Sequence, residues 1–522
     1  MNDRQETRVA LSAGWDARYN DFAPFHPARP HAEYPLGNLT PAAANPAYEA
    51  LRKALALCGL DRNHLGSPAW NPLGKIASPG DTVVLKPNFV RDFRESCRDP
   101  ANCVMTHGSV IRAVIDYVYI ALAGRGRIVV ADAPHSDADF ERIREFAGLD
   151  AIQELYRREA GFEIEVYDLR PEIAHKIGGV IAGHRKLPGD PAGYVKVDLA
   201  DHSAFAEIQP LCDRLYGSEY DMSELYRHHS DGVHEYLFSR TVLDADVVIS
   251  IPKLKTHKKV GLTVNLKNLV GINGNKNWLP HHREGTPAQG GDQFPNDSTT
   301  NRVERSVVTT FKKCFPRLGP LRLLLAGPAA AIGKRIFGDT NKGRIRSGNW
   351  HGNDTTWRMV LDLNRALLYA DTDGRLHDQP VRRFFSIVDG IIAGEGNGPL
   401  DPTPKSCGLI VAGFNSLAVD TACARLMGFD MSRIPLLREA FQHHPLPLMR
   451  HGADAIECFI NSSEDAGSLA SLDGTCSPFV PHFGWTGRIE ARLSSSSQPA
   501  STDEHDGDVA RVQSSESVVC RK

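Results

Sequence analysis

Residues Val247–Arg283 hold Lys253, Lys255, Lys258, Lys259, Lys267, Lys276 and Arg283, with His257, His281 and His282, and no Asp or Glu. The whole chain has 60 Lys+Arg against 63 Asp+Glu, a formal charge of −3, so this run is a local positive field in a slightly acidic protein. The chemistry it suits is anion recognition. The preceding residues, ADVVISI, read as a buried strand, which puts Pro252–Lys259 at the strand's C-terminal end. Gly261–Gly271 reads as a helix, with Leu262, Leu266, Leu269 and Val270 on one face and Asn265 and Asn268 on the other. A strand-end loop feeding a helix N-terminus offers amines, backbone N–H groups and a positive dipole to an anion. Lys253, Lys255, Thr256, Lys267 and Asn268 are therefore candidate substrate-binding residues, and His257 a candidate proton carrier. A Schiff-base role for Lys253 or Lys255 is the alternative, if burial depresses the amine. A plain solvated lysine loop is the bland reading.

Carboxylates come from two other places. Val388–Pro399 (VDGIIAGEGNGP) reads as a strand end followed by a glycine-rich loop bearing Asp389 and Glu395. RIVVAD-Ala133-Pro134-His135 puts Asp132 and His135 after another strand, and TVVLK-Pro87-Asn88 adds Lys86 and Asn88. An Asp after a strand often only caps the next helix. If one sheet edge gathers all four strand ends, Asp132, Asp389 and Glu395 become candidate acid–base groups, or ligands of a hard divalent cation.

The elements that must position these groups alternate. Strands are expected at 82–86, 127–132, 162–169, 245–251, 384–389 and 409–412. Helices are expected at 46–60, 107–122 and 137–147, and another starting at Asn353 or Asp354. The implied fold class is α/β: a mixed, mainly parallel sheet with helices on both faces plus an irregular insertion. The expected organisation is an irregular arm over 1–45, one large domain over 46–490 with an insertion at about 275–350, and a disordered tail over 491–522. The ten cysteines include no C-x-x-C pair and read as scattered thiols in a reducing compartment, with no iron–sulfur cluster expected. The pairs His228-His229, His281-His282 and His443-His444 lack metal spacing and read as surface histidines, with His281 and His282 at most on the site rim. Residues 311–346 are basic around LGPLRLLLAGPAAAIG, which is too short to span a bilayer but suits an anionic membrane surface. The first residues lack an apolar signal region, so a cytoplasmic, peripherally membrane-associated protein is expected. The near-zero charge speaks against a nucleic-acid partner, and the oligomeric state stays open.

IPKLKTH through NLKNLVG, with Lys86-Pro87-Asn88, VDGIIAGEGNGP and FNSLAVDTACARLMGFD, resembles the domain-of-unknown-function family 362 in motif order over about residues 80–440. Many relatives carry a ferredoxin-like iron–sulfur module, which this chain's cysteine spacing does not repeat. GNWHGNDTTWRMVLDLNR is similar to a subgroup associated with polysaccharide gene clusters, and that resemblance implies a carbohydrate context. The expected function is an enzyme acting on an anionic small molecule, phosphorylated or carboxylated and in the class of sugars, with its reaction type open. The alternative is a non-catalytic protein binding an anionic glycan or a membrane surface.

Overall fold

Short runs of β-branched residues, buried on both faces, build the centre of the protein. The computed structural model describes residues 3–491 except 38–43, 95, 97–101, 178–179, 218–221, 315–323, 326, 329–330, 332–334, 337–342 and 462–464. The main sheet has ten strands: β1 (Arg8–Ser12), β2 (Thr82–Pro87), β3 (Arg127–Asp132), β4 (Ile164–Asp168), β5 (Val247–Ile251), β6 (Lys253–His257), β7 (Gly261–Thr263), β8 (Arg383–Asn397), β9 (Asp401–Gly413) and β10 (Glu457–Ile460). Its order is β10-β1-β9-β8-β5-β2-β3-β4. The five strands from β8 to β4 are mutually parallel, and β9 runs antiparallel to both β8 and β1. The fold is α/β with a mixed, mainly parallel sheet.

Successive side chains point to opposite faces, and the core divides accordingly. Val83, Leu85, Ile128, Val130, Val247 and Ile249 pack with helices α1 (Pro46–Leu57), α2 (Gly108–Leu122) and α3 (Leu149–Ala160). Val84, Val129, Val248, Val388 and Val411 pack on the other face. There they meet α5 (Thr356–Tyr369) and α6 (Ser416–Leu426), which follow the short helix α4 (Asn265–Asn268) in the chain.

Three expectations change. The segment 1–45 is not wholly an irregular arm, because Arg8–Ser12 is an inner strand between β9 and β10. The glycine-rich loop at 390–397 is instead the distal half of β8, paired with β9 from Ile392↔Ser406 to Asn397↔Asp401. Gly261–Gly271 is not one helix: β7 pairs with β6, and only Asn265–Asn268 are α-helical. In the insertion, Thr299–Cys314 forms a helix. The chain from Met1 to Ala491 forms one compact unit; the expected disordered tail at 491–522 lies outside the described residues from 492 onward.

Candidate functional site

Two adjacent parallel strand ends, those of β2 and β3, open onto one pocket of about 340 Å³. Lys86 and Asn88 reach it from β2, Asp132 and His135 from β3, Lys255 and His257 from β6, and Lys267 and Asn268 from α4. Lys258, Lys259, Lys276, His281 and His282 complete the lining.

Asp132 is already matched. Its Oδ1 lies 2.8 Å from Lys86 Nζ, and its Oδ2 accepts the Phe89 N–H at 2.7 Å. Gly271 makes this pair possible, since a Cβ there would collide with Asp132 Oδ1 and crowd Lys86 Nζ. Asn268 ties the strands together. Its Oδ1 accepts from Lys86 Nζ at 3.0 Å and Asn88 Nδ2 at 3.2 Å, while its Nδ2 donates to Lys86 O and Ser250 Oγ. Asn88 Oδ1 in turn accepts from Lys255 Nζ at 2.9 Å.

Several other amines of the lining donate to neutral oxygens. Lys255 donates to Asn88 and to Val104 O, Lys259 to His281 O at 3.1 Å and to Ser347 O, and Lys276 to Ala133 O at 2.9 Å. No hydrogen bond or ion pair joins Lys267 Nζ to another described residue. Burial, with Lys276 and Lys86 close by, pushes Lys267 down to about 7. Burial holds Lys276 at about 8 and Lys255 well below the ordinary lysine value. Burial and the surrounding lysines also keep His257 and His281 neutral well below the usual imidazole range. His257 Nδ1 accepts the Lys259 N–H at 3.1 Å, which leaves the neutral ring's proton on Nε2. Lys255 and Lys267 are thus buried amines without an acid partner among the described residues, and burial lowers both.

The helix N-terminus expected to hold the anion is occupied. Asp420, on α6, accepts from Asn265 N at 2.8 Å, Asn265 Nδ2 at 3.0 Å and Leu266 N at 2.9 Å. Burial raises this carboxyl to about 7. Side-chain amines, not a helix dipole, therefore make the positive site. Asn265 serves the Asp420 cap, and Asn268 serves the strand junction.

Two of the three candidate carboxylates are elsewhere. Asp389 and Lys253 form a completely buried pair at 2.6 Å, closed by Tyr19 OH at 2.6 Å from Asp389 Oδ1 and by the His107 N–H at 3.0 Å from Oδ2. The Tyr19 ring stacks on His107 at 3.9 Å. Neither Asp389 nor Lys253 lines the pocket. Glu395 pairs with Lys405 at 3.0 Å and accepts the Val480 N–H, and Thr256 donates to Gly396 O at 3.0 Å; both also lie off the pocket. The expected grouping of Asp132 with Asp389 and Glu395, as acid–base set or metal ligands, is thus not formed. Each carboxylate spends its oxygens on a different cation. Among the described residues no cluster of three or more His, Cys, Asp or Glu side chains is placed to hold a metal ion.

Two of the histidine pairs are more buried than their sequence suggests, while His443 is exposed and His444 half-buried. His228, His229 and His282 are buried, and burial drives His229 down to about 3. His281 and His282 line the pocket. Lys276 and Gly271 carry no strand-end signal of their own in the sequence, although Lys276 belongs to the acid-free run that marks the site. A larger cleft of about 720 Å³ opens at the start of β5 and β8, where Arg382 is held by the Leu243 and Leu367 carbonyls. Arg383 pairs with Asp81 at 2.9 Å, and Asp246 accepts the Thr82 N–H.

Residues 203–425 match the family described as "Domain of unknown function (DUF362)". The chain carries a DUF362 region. That region supplies Lys255, His257, Lys267, Lys276 and Asp420, whereas Lys86, Asn88 and Asp132 come from the chain before it. A curated relative, the thylakoid-associated protein sll1697 of Synechocystis sp., is 23% identical over 276 residues, 51% of this chain. The match spans 60% of that relative's length. A solved structure of a Thermotoga maritima protein aligns with 68% of this chain and 57% of its own, at 11% identity and a TM-score of 0.30. Among the described residues no helix is long and apolar enough to cross a membrane.

Proposed function

We propose that the protein is an enzyme acting on a small molecule that carries more than one negative charge, with phosphoryl groups the best match. The observation that carries this reading is the charge balance of the pocket: Lys255 donates to the neutral oxygens of Asn88 and Val104, Lys267 Nζ bonds no described residue, and Asp132 is already matched by Lys86. A multiply charged ligand would supply the missing counter-charge and raise Lys267 toward its protonated form. His257 Nε2–H is the natural donor to a ligand oxygen, and Lys267, balanced near neutrality, the natural proton acceptor or carrier. Asp132 would act by holding Lys86 charged. Carboxylated ligands and sugar phosphates belong to the same class.

Titration calorimetry with inorganic phosphate and inorganic pyrophosphate tests it. Both should bind, pyrophosphate more tightly, and Lys267→Met and Lys276→Met should each weaken binding at least about tenfold, or ~1.4 kcal/mol. Binding that is absent, or unchanged in both variants, overturns the reading. A ligand recovered unaltered after long incubation with stoichiometric protein would leave a binding protein rather than an enzyme.

A second reading, contact with an anionic membrane surface, has its own support. Val303, Val307, Leu324, Leu325 and Ile336 are exposed apolar residues within or beside the basic 311–346 segment, most of which lies outside the described residues. Arg344 and Arg346 weaken it, because both are paired with Glu304 at 3.1 Å. The relative's name, thylakoid-associated, points the same way as the exposed residues. Co-sedimentation with vesicles containing phosphatidylserine separates this reading from the pocket reading, because Lys267→Met should leave vesicle binding intact.

A further inference from the structure

Cys407 and Cys476 are 69 residues apart in sequence, and nothing in their spacing marks them as partners. In the fold their sulfurs are 3.2 Å apart. Both are partly exposed, whereas Cys58, Cys103, Cys212, Cys423 and Cys458 are buried. Cys407 lies in the outer half of β9, in the hairpin it forms with β8. Cys476 opens a segment that folds over this hairpin and continues to the pocket rim. Lys405 Nζ donates to Pro478 O at 3.1 Å, Val480 N to Glu395 Oε2 at 3.0 Å, and Gly396 N to Val480 O at 2.7 Å. Farther along, Trp485 Nε1 donates to Lys258 O at 2.8 Å, and Lys258 N donates to Gly398 O at 3.1 Å. Lys258, Pro399 and Leu400 line the pocket. The thiol pair therefore sits at one end of a strap whose other end holds the pocket's mouth.

We propose that Cys407 and Cys476 are a reversible dithiol–disulfide site that, on reaction with a small-molecule disulfide such as glutathione disulfide, fastens residues 476–485 to the β8–β9 hairpin. The sulfurs need to approach by about 1 Å to reach the normal S–S length. Cys476 is the attacking thiol. Its hydrogen bond with Cys407 holds it below the ordinary thiol value, and Lys405 adds to the effect. Its thiolate attacks one sulfur of glutathione disulfide, breaking that S–S bond and releasing one glutathione thiolate. Cys407, losing its proton to solvent, then attacks the Cys476 sulfur of the mixed disulfide and expels the second glutathione. The two protein sulfurs lose two electrons in total, and these reduce one glutathione disulfide to two glutathiones.

The test uses the full chain in glutathione redox buffers, alkylated with iodoacetamide and mapped by peptide mass spectrometry. The expected product is a Cys407–Cys476 cross-link, lighter by two hydrogens and reversed by dithiothreitol. It should be absent in Cys476→Ser and Cys407→Ser, with the mixed disulfide trapped on Cys476 in Cys407→Ser. Mass mapping also separates this product from any reaction at exposed Cys314 or at Cys97 and Cys520. Amide exchange over 478–485 should slow at least about tenfold on oxidation, because a cross-link suppresses local opening. Glutathionylation of either cysteine without a cross-link, or a cross-link that leaves exchange over 478–485 unchanged, overturns the proposal. Neither result depends on whether the pocket binds an anion.

Discussion

Two groups of buried lysines lie on neighbouring segments and behave in opposite ways. Lys253 faces Asp389, Tyr19 and a carbonyl, and every charge in that centre is matched. Lys267, fourteen positions on in the chain, faces other amines. A buried charge with a good partner is a structural joint whose loss leaves the other charge stranded. A buried charge without a partner is a cost to the fold and is retained where a ligand completes it. The difference separates the residues that hold this protein together from those that face its ligand.

The largest effect should follow from breaking the matched centre. Asp389→Ala leaves Lys253 buried and unpaired, and should cost about 3–5 kcal/mol of stability in denaturant unfolding. Its surviving folded fraction should still bind pyrophosphate with wild-type affinity. A loss of affinity at unchanged stability would move Asp389 back to the ligand site. Next, Gly271→Ala forces a methyl group against Asp132 and Lys86 and should cost about 1–3 kcal/mol, together with a weaker anion affinity.

Lys267→Met should have the reverse sign. Removing an unmatched buried amine should raise unliganded stability by about 1–3 kcal/mol while lowering anion affinity. A destabilised variant would show that Lys267 has a partner and would erase the contrast with Lys253.

The pH dependence sharpens the comparison further. Lys267 and Lys276 are protonated below about 7 and about 8, and an anion prefers the protonated forms. Pyrophosphate affinity should therefore be highest below pH 7 and fall as pH rises through 8. Without ligand the sign reverses. Unfolded lysines titrate near 10.4, so from about pH 7 upward the unfolded chain binds more protons at these positions. Their contribution to stability should rise over that window and flatten in Lys267→Met, as read by thermal unfolding at each pH. The smallest effect belongs to Glu395→Gln, which removes a partly exposed ion pair with Lys405. It should cost about 0.5–1 kcal/mol and leave anion binding unchanged.

Much of the fold was legible in the chain. The runs TVVLK, RIVVAD and ADVVISI become β2, β3 and β5 nearly residue for residue, because alternating β-branched side chains can be buried on both faces only as inner strands. Helix α2 follows its apolar spacing from Gly108 to Leu122. Less legible was the extent of β8 and β9. Four glycines in VDGIIAGEGNGP signal a loop locally, yet pairing with β9 carries the strand to Asn397. Tertiary pairing overrides that local signal. The strand Arg8–Ser12 was hidden for a related reason: five residues carry little pattern, and its partners β9 and β10 lie about 400 residues away.

The candidate site divides along the same line. The sequence alone determined that six lysines and no acid follow a buried strand, and that a parallel sheet would carry some of them to its C-terminal edge. It also supplied Lys86, Asn88 and Asp132 as strand-end groups. Only the tertiary structure decided which carboxylate answers which amine. Asp389 meets Lys253 across 136 residues of chain, Asp420 takes the N–H groups of α4, and Asp132 is left to Lys86. The physical reason is range. Strand and helix propensity is read from neighbours a few positions away, while the charge state of a buried amine is set by whatever distant residue packs within about 4 Å of it.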